Sequence, residues 1–183
     1  MRLKPREQWI CDDCGQVIEH ATQGMVEWLH EDDEHDNRKH YGWRIVHHTP
    51  ASPRNPYRPK RAKLNSECCY KYSHVPHSCS THLDDFVGPD GLPRILGMID
   101  RGPLIDKPHD VPHVRNLQEW AEFVRRLALP FYEEARLYWK QAEAAGRLDG
   151  ERNHVYLYSQ EFLRSIIDEF APKSDSGGDI TRP

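Results

Sequence analysis

The sequence predicts an α+β protein in which short strands and loops come first and helices follow. Three observations carry this. All five cysteines and nine of the twelve histidines lie in the first 82 residues, among segments that alternate apolar and polar positions. From Gly88 onward apolar residues instead recur at helical spacing between recognisable caps. The chain is only 37% hydrophobic and 30% charged, with 14 prolines and 11 glycines, so its core is thin and much of it is loop. Loop-rich regions of that kind commonly depend on a metal ion or disulfides.

The front module is expected to span residues 1–87. Its densest point is Cys11-Asp12-Asp13-Cys14-Gly15, the spacing of a zinc knuckle. A tight turn aims both thiolates at one ion, and Gly15 can take the positive φ that turns backbone N–H groups toward the sulfurs. Residues 24–29 and 41–48 alternate as strands, and the acidic run 30–36 reads as the turn between them. Pro50, Pro53, Pro56 and Pro59 then exclude regular structure until about Leu64. Residues 68–82 have no clean period, so something other than apolar packing is expected to hold them.

A helical part is expected over residues 88–171. Asp90 caps a short helix with Leu92, Ile95, Leu96 and Ile99 inward, stopped by Gly102-Pro103. After a proline-broken loop, Asn116 caps a strong amphipathic helix, with Glu119 placed to complete a capping box. Its stripe is Leu117, Trp120, Ala121, Val124, Leu127, Ala128 and Phe131, and Pro130 marks a break. A further helix runs from about Phe131 to Ala145, with Glu133 and Glu134 complementing its dipole, and Gly146 ends it. An extended link at 153–158 leads to a last helix, capped by Ser159, that buries Phe162, Leu163, Ile166, Ile167 and Phe170. The aromatic residues Trp120, Phe123, Tyr132, Tyr138 and Trp139 read as core. The polar residues 172–183 are expected to form a disordered tail.

Several classes of function find no support. The charged start lacks the apolar run of a secretion signal, and no stretch of about 18 apolar residues exists to span a membrane. A cytoplasmic protein with reduced thiols is expected. No glycine loop with its lysine cradles phosphate, and no serine elbow is present. The net charge of −4 exerts no global pull on nucleic acid. One basic loop, with Arg54, Arg58, Lys60, Arg61 and Lys63 around a tyrosine, is either a solvated loop or an arm that contacts phosphates.

A closed structural zinc site takes four ligands, and Cys11 and Cys14 supply two. The favoured set is Cys11, Cys14, His47 and Cys68, because His47 ends a strand and Cys68 would tie the far end of the proline-rich loop to the same ion. His48 and Cys69 are near-equal substitutes, and Cys79 with His82 is a competing pair with knuckle spacing.

The order His48, Asn65, His74 beside a cysteine knuckle resembles the ββα-metal nucleases of the HNH type. That resemblance implies His48 as general base, Asn65 as its orienter and His74 as ligand of a divalent ion, with His47 a second candidate ligand. As a whole the chain also resembles small uncharacterised bacterial proteins that carry a front zinc knuckle and a Gly-Pro-Asp-Gly-Leu turn into helices, which implies no activity. The leading expectation is a non-enzymatic, zinc-stabilised adaptor that binds a protein partner or nucleic acid. The alternative is a small metal-dependent nuclease.

Overall fold

The computed structural model describes residues 2–32, 38–53, 78–99, 114–149 and 155–172. It is a mixed α+β arrangement, with antiparallel strands first and helices after them. A minimal hairpin, β1 (Trp9–Ile10) and β2 (Val17–Ile18), encloses the knuckle. A three-stranded antiparallel sheet follows, in the order β4 (Arg38–His47), β3 (Gly24–Asp32), β5 (Ser78–His82).

The expected strands at 24–29 and 41–48 are both present; β3 extends into the acidic run as far as Asp32, and β4 begins earlier than expected, at Arg38, and ends at His47. His30, Glu31 and Asp32 are strand residues paired with His40, Lys39 and Arg38, so the first part of that run is strand and not turn. Alternating charge explains the extension: Asp32 pairs with Arg38 across the ladder at 3.4 Å, and Glu31 with Arg115 at 3.2 Å. Strand β5 answers what holds the chain near residue 80. Its backbone joins the open edge of β3, in the register Trp28↔Cys79, rather than relying on its small polar side chains.

Six α-helices follow among the described residues: α1 (Asp84–Val87), α2 (Gly91–Gly97), α3 (Leu117–Ala128), α4 (Tyr132–Ala135), α5 (Trp139–Ala144) and α6 (Gln160–Phe170). Asn116 caps α3 as expected, its side chain accepting from Gln118 N and Glu119 N. Glu119 does not complete a capping box. Its carboxylate instead accepts the backbone N–H of Trp43 at 2.9 Å, fastening α3 to β4. Leu117 is exposed and Phe123 takes an inward place, because α3 presents Trp120, Phe123 and Leu127 to the sheet. In α2 only Ile95 of the expected apolar set is buried, while Leu92 and Leu96 are exposed. This seven-residue helix packs chiefly on the single turn of α1, which can cover one ridge and no more.

The helix expected from 131 to 145 is divided into α4, a 3-10 turn (Arg136–Tyr138) and α5. Phe131 enters it with φ +68, a left-handed conformation that makes the break after Pro130 sharp. The expected extended link is a 3-10 turn at Tyr156–Tyr158. Ser159 caps α6 by accepting from Phe162 N, as expected.

The described residues form two buried clusters. The first joins Trp9, Ile18, Val26, Ile45 and Leu83 of the front half to Phe86, Ile95, Trp120, Phe123 and Leu127. Trp43 is its hub, stacked on Trp28 at 4.9 Å and Phe123 at 5.3 Å, with the edge of Trp120 at 4.6 Å. Such aromatic contacts each add roughly 0.5–1.5 kcal/mol beyond the area they bury. The second cluster packs Tyr132, Ala135, Tyr138 and Ala142 on Phe162, Leu163, Ile166 and Ile167. No helix among the described residues is long and apolar enough to cross a membrane.

Candidate metal centre

The knuckle is built by its own hairpin. Cys11 N–H donates to the Gln16 carbonyl at 2.9 Å, and Gly15 N–H to the Cys11 carbonyl at 2.9 Å. Gly15 holds φ +71, the positive value that its place after the second cysteine called for. The turn is then registered against β4 through Asp12. Its N–H donates to the Ile45 carbonyl at 2.8 Å and its carboxylate accepts from Ile45 N–H at 2.7 Å. Two residues further along, β4 ends in His47, whose side chain is thereby delivered to the two sulfurs.

Cys11, Cys14 and His47 form a buried group whose ligand atoms all lie within 4.8 Å of one another. None of the cysteines Cys11, Cys14 and Cys79 is in a disulfide. His47 Nδ1 is 3.5 Å from Cys14 Sγ, and Nε2 is 3.1 Å from the Val17 carbonyl. A carbonyl can only accept, so Nε2 carries a proton, and the bond to Val17 holds the ring with Nδ1 facing the sulfurs. Metal-binding histidines are oriented in this way by a hydrogen bond from the far ring nitrogen. In a tetrahedral site with Zn–S and Zn–N lengths of about 2.3 and 2.0 Å, neighbouring S and N atoms lie about 3.5 Å apart. The Cys14–His47 spacing has that length. The donor set, two sulfurs and one imidazole nitrogen gathered within 4.8 Å, could therefore hold a metal ion.

The protonation state fits too. Burial pushes the Cys11 thiol up, but hydrogen bonds from the His47 ring and from backbone N–H groups of Cys14, His47 and Asp13 outweigh it and bring it to about 6. Cys11 is thus a thiolate at neutral pH, the form that ligates metal. Access is restricted, since Cys11 is 1% and His47 4% exposed.

Behind the knuckle lies a buried ionic network that ordinary spacing rules do not reveal. The Arg126 guanidinium of α3 donates to Glu133 of α4 at 2.8 and 3.1 Å, to the Asp12 carboxylate at 2.6 Å and to the Ile10 carbonyl at 3.3 Å. Arg136 bonds the same Glu133 at 2.8 Å through both Nε and Nη2, and Ile10 N–H donates to it at 2.9 Å. Burial works against the Glu133 charge, but Arg126 and Arg136 hold its carboxyl below the usual 4.5. Glu133 and its neighbour Glu134 thus serve as buried acceptors for the N-terminal segment, Glu134 taking the Leu3 N–H at 2.9 Å, instead of simply facing the helix dipole. One sequence signal could have found this: Arg126 falls on the buried face of α3 with Phe123 and Leu127, where a lone cation demands partners.

The remaining candidates are distributed differently. Cys68, Cys69, Asn65 and His74 lie outside the described residues, as do Arg54, Arg58, Lys60, Arg61 and Lys63. His48 follows β4, and its N–H donates to the Gln23 carbonyl at 3.0 Å. It is not part of the metal-ligating group. Burial lowers its pKa; a backbone hydrogen bond with Thr22 opposes this, and smaller repulsions from His82 and His47 add to the lowering. Cys79 and His82, three apart in β5, point to opposite faces of the sheet and cannot close on one ion as a knuckle. Cys79 Sγ instead meets His30 Nδ1 at 3.4 Å. Comparison of the chain with known protein families, with curated proteins and with solved structures gave no match.

Proposed function

We propose that Cys11, Cys14 and His47 bind a structural zinc ion, with Cys68 as fourth ligand and Cys69 its nearest substitute, and that the protein is a cytoplasmic, non-enzymatic adaptor shaped by that ion. The observation that supports this reading is the buried Cys-Cys-His group with its oriented imidazole and favoured thiolate. Sulfur-rich donor sets select zinc over hard cations such as magnesium. A catalytic zinc keeps one position open to water and substrate. Two of these three ligands are almost sealed from solvent, which suits an ion that stabilises rather than one that reacts.

The adaptor's work is to present a loop-rich surface, held in shape by the ion, to a protein partner or to nucleic acid. Metal analysis should return about one zinc per chain, lost in Cys11→Ser together with much of the cooperative melting. A melting curve unmoved by strong chelation refutes the structural ion. Charge reversal at Arg58, Lys60 and Arg61 should weaken nucleic-acid binding in a salt-dependent way, and if no binding exists at low salt the partner is a protein. Plasmid cleavage with magnesium or manganese that disappears in His74→Ala would replace the adaptor reading with the HNH-like nuclease.

A further inference from the structure

We infer that the protein pairs with a second copy of itself through the open edge of β5. The sheet order β4-β3-β5 leaves two edges, and the molecule treats them differently. The outer edge of β4 is occupied. Ile45 exchanges hydrogen bonds with Asp12, Trp43 N–H donates to the Glu119 carboxylate, and the His40 carbonyl accepts from Arg115 N–H at 2.8 Å. At the other edge, Leu83 N–H donates to the Gly24 carbonyl at 3.1 Å, so the backbone of Leu83 faces β3. Backbone groups along an antiparallel strand alternate in direction. Thr81 and Cys79 therefore also face β3, while His82, Ser80 and Ser78 turn theirs outward. The outward N–H and C=O groups of these residues have no hydrogen-bond partner among the described residues. Ser80 and His82 are exposed.

Open edges are normally defended by lysine, by proline, by a bulge or by a covering element. The sequence Ser78-Cys79-Ser80-Thr81-His82 carries no lysine, arginine, carboxylate or proline, and its register with β3 runs without a shift. The occupant must be another extended strand, since only a strand offers a carbonyl to each outward N–H and an N–H to each outward carbonyl. A second β5 does so without remainder. The outward groups are placed symmetrically about Ser80. An antiparallel copy centred there sets Ser80 against the partner's Ser80, Ser78 against the partner's His82 and Cys79 against the partner's Thr81. A charged side chain at that axis would repel its own copy, and the residue there is a small, uncharged serine. The ladder is short, so the dimer is a reversible one whose population rises with concentration.

Sedimentation equilibrium of the full chain, from low to high micromolar concentration, tests the pairing. The mean mass should climb from 21.5 kDa toward twice that value. Amide hydrogen exchange at Ser78, Ser80 and His82 should slow over the same range. Ser80→Lys sets like charges opposite each other and should weaken the dimer about fivefold, as should Ser80→Glu, and mixing the two variants should restore it. Ser80→Pro removes the central outward donor without touching the bonds to β3 and should abolish dimerisation while the circular dichroism spectrum is unchanged. Ser80→Lys, at an exposed position, keeps the test decisive if the proline unsettles the strand. A chain that stays monomeric throughout overturns the inference, and so does a strand from another protein being the only one that occupies this edge. A dimer that forms equally well in Ser80→Lys and Ser80→Pro, or that leaves exchange at β5 unchanged, overturns it too.

Discussion

Replacing Arg126 by methionine tests whether the helices hold the knuckle in place. Methionine keeps the aliphatic stem and removes a guanidinium whose side chain is 7% exposed. Glu133, also 7% exposed, and Asp12, at 19%, then lose their shared cation, and the Ile10 carbonyl loses a donor. Breaking a buried pair by deleting one partner typically costs about 3–5 kcal/mol. Arg136 remains bonded to Glu133 and lies 3.4 Å from Asp12, so the lower end, about 3 kcal/mol, is expected. Urea denaturation of the metal-loaded protein measures it. Adding Glu133→Gln removes the stranded charge yet keeps an oxygen to accept Ile10 N–H, so the double variant should be less unstable than the sum of the singles by at least about 1 kcal/mol. Metal affinity should also fall, because Asp12 sets the register between the cysteines and His47. A loss below about 1 kcal/mol with additive singles would show that the network does not anchor the knuckle.

The Glu133 carboxyl titrates below 4.5 in the fold, so the stability it confers is fully present above that pH and disappears as pH falls through the depressed value. Glu133→Gln should accordingly flatten the acid limb of the stability curve, as read by urea midpoints at descending pH. In the metal-free protein one thiolate should appear in ultraviolet absorbance near pH 6 and be lost in Cys11→Ser; titration of all thiols near their ordinary value of 9.0 would refute the hydrogen-bonded site. Gly91 abuts the Phe86 carbonyl oxygen so closely that a Cβ there must displace backbone, whereas a Cβ at Gly97 meets nothing within 4 Å. Gly91→Ala should lower stability by about 1–3 kcal/mol, while Gly97→Ala leaves the urea midpoint unchanged or slightly raised.

The strands at 24–29 and 41–48, the caps Asn116 and Ser159, and the Cys11–Cys14 knuckle were all legible before any coordinates, because each rests on local rules: side-chain period, a capping oxygen, a turn between two thiols. His47 was readable as a candidate because it ends a strand, but its choice over His48 was not. Strand alternation sends neighbouring side chains to opposite faces, and which face meets the knuckle depends on how Asp12 docks on Ile45.

What needed the assembled molecule was every feature in which distant charges or rings share one place. Glu119 looked like a cap partner and became a tertiary acceptor for Trp43; Glu133 looked like a dipole partner and became the buried mate of Arg126 and Arg136. Trp139 packs on the margin of the second cluster, in keeping with its reading as core, while Leu92, Leu96 and Leu117 were placed inward by period and stand in solvent. Period states only that a helix has an apolar side. Which residues on that side are covered depends on the size and position of the neighbouring element, and whether a charge can be buried depends on partners more than a hundred positions away, as Arg126 is from Asp12.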